Sequence, residues 1–303
     1  MRIVFFGTPD FAVASLKAIV KAGYEILAVV TAPDKPAGRG MHLHQSPVKQ
    51  FAVANGLKVL QPVKLKDPQF IEELRSLHAD LQVVIAFRML PEIVWNMPDQ
   101  GTINLHASLL PDYRGAAPIN WAIINGEPIT GVSTFFLKHE IDTGDILLHK
   151  QVVIDDEMNA GELHDLLMHV GSELIVQSLK LIETGHTHGT PQAFGSIKTA
   201  PKIDKQHCLI NWEKTGKQII NLVRGMSPYP AANLMLFNKV IKIYKARFEP
   251  TFHEHENGTA ISDDKTFLKI ACKDGFVFLL DVQMESKKRM TVEEFLRGYR
   301  LPK

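Results

Sequence analysis

The chain has 303 residues, 45% of them hydrophobic and 22% charged, with a net charge of +1. That is the composition of ordinary soluble protein, long enough for a sizeable core and two domains. Its two cysteines, Cys208 and Cys272, are too few and too far apart for a disulfide framework, and a reducing cytoplasm is the expected compartment. No apolar run approaches the roughly 20 residues that span a bilayer, and Ile3 to Phe6 is too short for a secretory signal, so neither membrane insertion nor export is expected.

Residues 2–7 read as a buried strand and Asp10 to Ala22 as a helix, with Thr8 or Asp10 as the expected cap and Pro9 near the first turn. Glu25 to Thr31 is a second strand, and Phe51, Ala52 and Leu57 mark a short helix and turn that lead to Val59-Leu60. Phe70 to Leu77 reads as helix, Asp80 to Phe87 as strand, and Thr102 to Leu105 as another short apolar strand. Such alternation predicts an α/β domain with a mostly parallel sheet, in which ligands bind beyond the carboxyl ends of the strands. Gly7, Phe87 and His106 fall at those ends and locate the pocket.

Two later strands are expected at Thr130 to Lys138 and Ile146 to Ile154, and a long helix at Gly161 to Glu183, stopped by Gly185. The Gly-, Thr-, Pro- and Ser-rich stretch 185–203 reads as a linker between a first domain, 1–184, and a second, 204–303. The second shows a helix at Lys214 to Arg224, then short strands at Ala232 to Phe237, Val240 to Tyr244, Phe267 to Ala271 and Phe276 to Val282. That pattern predicts a small β-barrel.

Charge is unevenly divided. Residues 1–199 carry 16 Lys+Arg against 21 Asp+Glu, a balance of −5, while residues 200–303 carry 18 against 12, a balance of +6. A basic module joined to an acidic one points to a polyanion as partner of the C-terminal part. Compositional drift gives the same arithmetic.

Gly7-Thr8-Pro9 is not the glycine-rich loop of dinucleotide-binding folds, because Pro9 removes a backbone N–H where a phosphate would need one. This disfavours a nicotinamide oxidoreductase. The polar run Asp34-Lys35-Pro36-Ala37-Gly38-Arg39-Gly40, continuing to Pro47, is long for a loop, and Arg39 between two glycines is free to project toward a phosphate. A plain surface loop is the competing reading. The paired histidines His42/His44, His186/His188 and His253/His255 lack further ligands at metal-binding spacing, so no metal is expected.

Asn104 and His106, two apart on a strand end, should share a face. An amide beside an imidazole suits chemistry that develops an oxyanion and moves protons. A core histidine bonded to an asparagine explains the same pattern equally well. Asp142-Thr143-Gly144-Asp145, between two strands, reads on its own as a turn.

Residues 104–118, from Asn104-Leu105-His106 through Ser108-Leu109-Leu110-Pro111 and Arg114-Gly115 to Pro118, followed by Ile141-Asp142-Thr143-Gly144-Asp145, resemble the signature of the 10-formyltetrahydrofolate-dependent formyltransferases. Residues 7–12, residues 33–40 and the stretch Arg224-Gly225-Met226-Ser227-Pro228-Tyr229-Pro230-Ala231-Ala232 resemble the branch of that family whose acceptor is the methionine carried by initiator tRNA. The resemblance covers nearly the whole chain. It implies a Rossmann-like catalytic domain followed by a barrel resembling an OB fold, with Asn104, His106 and Asp142 as the catalytic trio. By the same resemblance the folate cosubstrate meets Ser108, Leu109, Leu110 and Pro111 on one side and Phe87, Arg88, Met89 and Leu90 on the other. Residues 86–91 depart from the Tyr-Gly-containing version of that second segment.

The implied reaction moves a formyl group from 10-formyltetrahydrofolate to the α-amino group of methionine on initiator tRNA, by a monomeric enzyme without a metal. Asn104 and His106 would donate to the oxyanion, His106 would also move the proton, and Asp142 would orient and charge-stabilise it. Contacts to tRNA are expected at Lys35, Arg39, Arg224, Lys242 and Lys245. A formyltransferase acting on a small amine, such as a nucleotide or nucleotide sugar, shares the trio and has less use for a basic barrel. A formate-releasing hydrolase and a nucleic-acid-binding protein with a vestigial catalytic domain are the other readings; retention of all three polar residues argues against the latter.

Overall fold

The computed structural model describes residues 1–37, 42–185, 189–193, 195, 197–236 and 238–299. Its first elements are β1 (Arg2–Gly7), α1 (Asp10–Lys21), β2 (Glu25–Val30), β3 (Lys35–Ala37), β4 (His42–His44), α2 (Pro47–Ala54), β5 (Val59–Leu60), α3 (Pro68–Ser76) and β6 (Leu81–Ile85). Next come α4 (Glu92–Trp95), β7 (Thr102–His106), β8 (Arg114–Gly115), α5 (Pro118–Ile124), β9 (Ile129–Phe136), β10 (Ile146–Val153) and α6 (Ala160–Glu183). The rest are β11 (Thr199–Ala200), α7 (Gly216–Met226), β12 (Ala232–Leu236), β13 (Lys239–Pro250), β14 (Ala260–Ser262), β15 (Leu268–Cys272), β16 (Gly275–Met284), β17 (Met290–Thr291) and α8 (Val292–Gly298). No helix among the described residues is long and apolar enough to cross a membrane.

The chain packs into two compact units that interleave along the sequence: 1–115, 130–152 and 164–199 form the first, and 116–129, 153–163 and 200–303 the second. Residues 189–193 and 197–199, inside the stretch read as linker, are thus part of the first unit. Two segments that precede that stretch belong to the second.

In the first unit a sheet runs in the order β10-β9-β7-β6-β1-β2-β5. β1 pairs in parallel with β2 and β6, β6 with β7 and β2 with β5, so Gly7, Ile85 and His106 end on one edge. β1 and β6 are buried on both faces, as parallel strands covered by helices must be. Alternate residues Val4, Phe6, Ala28, Val30 and Val84 enter one core with Phe70, Leu74 and Val94. Neither Thr8 nor Asp10 caps α1. Pro9 holds the N-cap position without a side-chain bond, and its carbonyl accepts from the Ala12 N–H at 3.0 Å. By contrast, α2 opens earlier than the apolar pattern implied, with Ser46 accepting from the Lys49 N–H and Pro47 in the first turn.

β9 runs antiparallel to β7, with Ile103 opposite Phe136 and His106 opposite Ser133. Its carboxyl end therefore lies three residues short of His106, about 10 Å along a strand. The following turn must double back to reach the pocket edge. It does so by folding onto β9 itself: a Cβ at Gly144 would stand 1.5 Å from the Phe136 carbonyl oxygen.

The second unit holds an antiparallel sheet in the order β12-β13-β16-β15-β14, with β17 beside β16, in keeping with the expected OB-like barrel domain. α7, with Thr215 in a capping box, packs on this sheet through Ile219, Val223 and Met226. α5 lies along α7, where Asn120 Nδ2 donates to the Gly225 carbonyl at 2.7 Å.

Gly7 is required by close packing: a Cβ there would lie 2.6 Å from the Ala12 Cβ and 2.8 Å from the Phe5 ring. Gly7→Ala is expected to lower the unfolding free energy by about 1–3 kcal/mol, the usual range for overpacking, as measured by urea denaturation.

Candidate active site

Every group of this site belongs to the first unit. On β7 the pleat puts Thr102, Asn104 and His106 on one face and the fully buried Ile103 on the other, with Leu105 beside it. His106 is buried, and its Nε2 lies 2.9 Å from the Tyr113 carbonyl oxygen. A carbonyl only accepts, so Nε2 carries the proton. In the neutral ring the lone pair is then on Nδ1, which faces Asp142 Oδ2 at 3.8 Å. That separation is too long for a hydrogen bond and suits an ion pair once Nδ1 takes a proton. The half-buried Asn104 amide has no hydrogen-bond partner among the described residues. The sequence offered a plain His–Asn core pair as an alternative. The histidine instead bonds to a main-chain carbonyl, and the amide stays uncommitted.

Two loops flank the ring. In the first, Ser108 Oγ donates to the Asp112 carbonyl at 2.7 Å, Ser133 Oγ donates to the Ser108 carbonyl at 2.7 Å, and the Leu110 N–H donates to Ser133 Oγ at 3.1 Å. Tyr113 sits at φ 61°, in the left-handed region, which aims its carbonyl at the ring. In the second, Asp142 has φ 56° and its Oδ2 accepts from the Gly115 N–H at 3.0 Å. Asp142-Thr143-Gly144-Asp145 is indeed a turn, with Thr143 Oγ1 donating to the Glu140 carbonyl and Lys138 paired to Asp145 at 2.7 Å. Its aspartate also enters the site.

Of the residues read as folate contacts, Ser108 and Leu110 are buried within their own loop, and Leu109 packs against Gly131. Pro111 is half-buried. After β6, Ala86 at φ 47° turns the chain; Phe87 lies edge-on to Phe6, Met89 is 74% exposed and Leu90 returns to the core. The Arg88 guanidinium donates to the carbonyls of Pro62 and Val63.

Among the expected tRNA contacts, Lys35 is exposed on β3, which pairs with β4; Arg39 lies outside the described residues. Just before β3, Asp34 accepts from Lys49 Nζ at 2.5 Å and from Gln61 at 2.8 Å, contacts that hold its carboxyl below the usual range. In the second unit Lys245 is exposed and Lys242 half-buried. Arg224 is half-buried and partly bonded. Its guanidinium donates to the carbonyls of Met158 and Asp155 and to Asn221 Oδ1, which commits three of its five N–H groups. Burial pulls its pKa down, against the pull of Asp156 and Glu157.

Sequence reasoning missed Gln192. Buried in the first unit, its Nε2 donates to the carbonyls of Asp142 and Gly144 at 2.9 and 2.8 Å, and its Oε1 accepts from Arg114. Nothing in a Pro-Gln-Ala run within a polar stretch signals this.

The chain belongs to the formyl transferase family: residues 1–179 match the formyl transferase model and residues 202–300 that of the formyl transferase C-terminal domain. It is 53% identical to a methionyl-tRNA formyltransferase of Flavobacterium johnsoniae, over 98% of this chain and 96% of that one. It is 50% identical to the protein of the same name from Bacteroides fragilis, over 99% and 96%. Its fold resembles an N-formyltransferase from Helicobacter canadensis solved with folinic acid and dTDP-3-aminofucose, with TM-score 0.71, 21% identity, and 93% and 98% of the two chains covered. HypX from Aquifex aeolicus in complex with tetrahydrofolic acid matches with TM-score 0.65 and 19% identity, over all of this chain and 48% of that one.

Any side chain at position 144 must push the Asp142 turn off β9. Since a shift of about 1 Å can cost on the order of 10²-fold in rate, Gly144→Ala is expected to reduce formyl-transfer turnover by at least roughly tenfold. Steady-state kinetics alongside circular dichroism check this, with the fold retained.

Proposed function

We propose that the chain transfers the formyl group of 10-formyltetrahydrofolate to the α-amino group of methionine esterified to initiator tRNA. The observation that carries this reading is the His106 ring, held by its Nε2–H with Nδ1 turned to Asp142, on the same strand face as the Asn104 amide, which has no hydrogen-bond partner among the described residues. The choice of amine is supported by relatives named methionyl-tRNA formyltransferase at 48–54% identity over nearly the full chain. The sugar N-formyltransferases among the solved structures stand at 17–21%.

In this reading an α-amino group, with an ordinary pKa near ~8, supplies a useful neutral fraction at physiological pH. Its nitrogen attacks the formyl carbon and the carbonyl π pair moves to oxygen. Asn104 donates its amide N–H to that oxyanion, where one such donor typically contributes a factor of roughly 10²–10³. His106 Nδ1, a lone pair in the resting tautomer, takes the proton released by the attacking nitrogen, and Asp142 stabilises the resulting imidazolium. The intermediate collapses as the bond to the folate nitrogen breaks, and His106 returns the proton to that nitrogen. Because Nε2–H is already committed to Tyr113, His106 donates to the oxyanion only after it has been protonated. Asn104 therefore acts first.

Pro111 and the Phe87–Met89 segment are candidates for the folate wall by position and exposure. Arg39, Lys35, Arg224, Lys242 and Lys245 are the proposed tRNA contacts, Arg224 with the N–H groups that its three hydrogen bonds leave over. Arg39→Ala should weaken use of the charged tRNA while folate-donor binding is unchanged.

The test is a formylation assay with 10-formyltetrahydrofolate and charged initiator or elongator tRNA. Asn104→Ala should lower kcat by about 10²–10³, and His106→Ala and Asp142→Ala by about 10²–10⁴, each with an unchanged circular dichroism spectrum. Near-normal turnover in His106→Ala, or transfer to neither tRNA by the parent protein, sinks the assignment.

A further inference from the structure

Gln192 has no place in the steps above, yet its side chain ties together the loops on the two sides of His106. Its amide hydrogens go to the carbonyls of Asp142 and Gly144, and its oxygen to Arg114 Nε at 3.2 Å and Nη2 at 2.6 Å. The amide cannot flip: reversed, it would set an oxygen against two carbonyls and an NH₂ against a guanidinium. Both polar ends are satisfied in one orientation only.

The anchor points are what give this bond set consequence. Arg114 lies between Tyr113, whose carbonyl accepts the His106 Nε2–H, and Gly115, whose N–H holds Asp142 Oδ2. Residues 138–141 of the second loop are exposed. The left-handed backbone of Asp142 is itself tied down through the carbonyl that Gln192 grips. Gln192 is delivered by the chain just before it. Thr190 exchanges both backbone hydrogen bonds with Ile146 at 2.8 Å, and Gly189 approaches Asp145 so closely that a Cβ would lie 2.7 Å from its carbonyl.

We propose that Gln192 is a positioning residue for formyl transfer, setting the distance between the Asp142 carboxylate and His106 Nδ1 by clamping the 142–144 turn to the 113–115 loop. This rests on the reading of His106 and Asp142 as the reacting pair. The group acts through Asp142, touching neither substrate, so its effect belongs in kcat and vanishes when Asp142 is disabled.

The experiment is a double-mutant cycle on the full chain, using single-turnover and steady-state formyl transfer from 10-formyltetrahydrofolate to charged initiator tRNA. Gln192→Ala should lower kcat by about 10–100-fold, as expected for a group misplaced by ~1 Å, with KM for both substrates within about twofold. In an Asp142→Asn background the same change should cost less than about threefold, since there is no carboxylate left to place. Gln192→Met, which keeps the volume and removes every hydrogen bond, guards against a simple packing defect and should match the alanine variant. An unchanged kcat in both Gln192 variants, a loss confined to KM, or a loss that multiplies in full with Asp142→Asn would overturn the role. Wild-type turnover in Asp142→Asn would instead remove the underlying reading of the site, and the proposal with it.

Discussion

The hydrogen bond from His106 Nε2 to the Tyr113 carbonyl governs the chemistry available to this molecule. A main-chain carbonyl has no proton to give, so the bond selects one tautomer and leaves the basic nitrogen, Nδ1, toward Asp142. Orientation follows from the same contact, because a buried ring with one nitrogen bonded has little freedom left. The left-handed backbone at Tyr113 and Asp142 gains its meaning here: each is a local cost that aims a specific oxygen at the ring. Hydroxyls of Ser108 and Ser133 stiffen the loop that carries the carbonyl. A resting histidine that accepts at Nδ1 also divides the labour, with Asn104 as the first donor to a developing oxyanion in the proposed reaction.

The sheet explains how those groups come to meet. Parallel pairing of β1, β6 and β7 brings their carboxyl ends to one edge, where such folds bind ligands. Antiparallel β9 breaks that rule locally and leaves its own end beside Ile103. Asp142 reaches the candidate site where the chain doubles back over β9, at a glycine with no room for a side chain, and a distant glutamine bonds the turn there. Residues 189–193 thereby pack within the first unit, although their composition is that of a connector.

In the second unit, positive charge has to be sorted by what each side chain already touches. Arg224 has the charge expected of a phosphate contact, and three of its five N–H donors are bonded to the carbonyls of Asp155 and Met158 and to Asn221 Oδ1. On β13, Lys245 is exposed and Lys242 half-buried, and both are proposed contacts for a polyanion. Net charge identified the basic module; hydrogen bonding separates its surface charges from its structural ones.

Much of the fold was legible in the chain. Short continuous apolar runs at Ile3 to Phe6 and Val83 to Phe87, bounded by turn residues, marked an α/β sheet with strands buried on both faces and the edge where His106 would lie, because these are local patterns. The motif residues Asn104, His106 and Asp142 were visible by resemblance for the same reason: they are close in sequence to recognisable neighbours. Tertiary structure decided what no local pattern encodes. It set the tautomer of His106, which depends on a carbonyl seven residues away, and the return of Asp142 to the pocket, which depends on the direction of β9. It also placed Gln192, 50 residues beyond Asp142, against the Asp142 turn, and bonded the Arg224 guanidinium to the carbonyls of Asp155 and Met158. Each of these is a hydrogen bond or strand direction fixed by packing between distant segments, and a sequence states such partners nowhere.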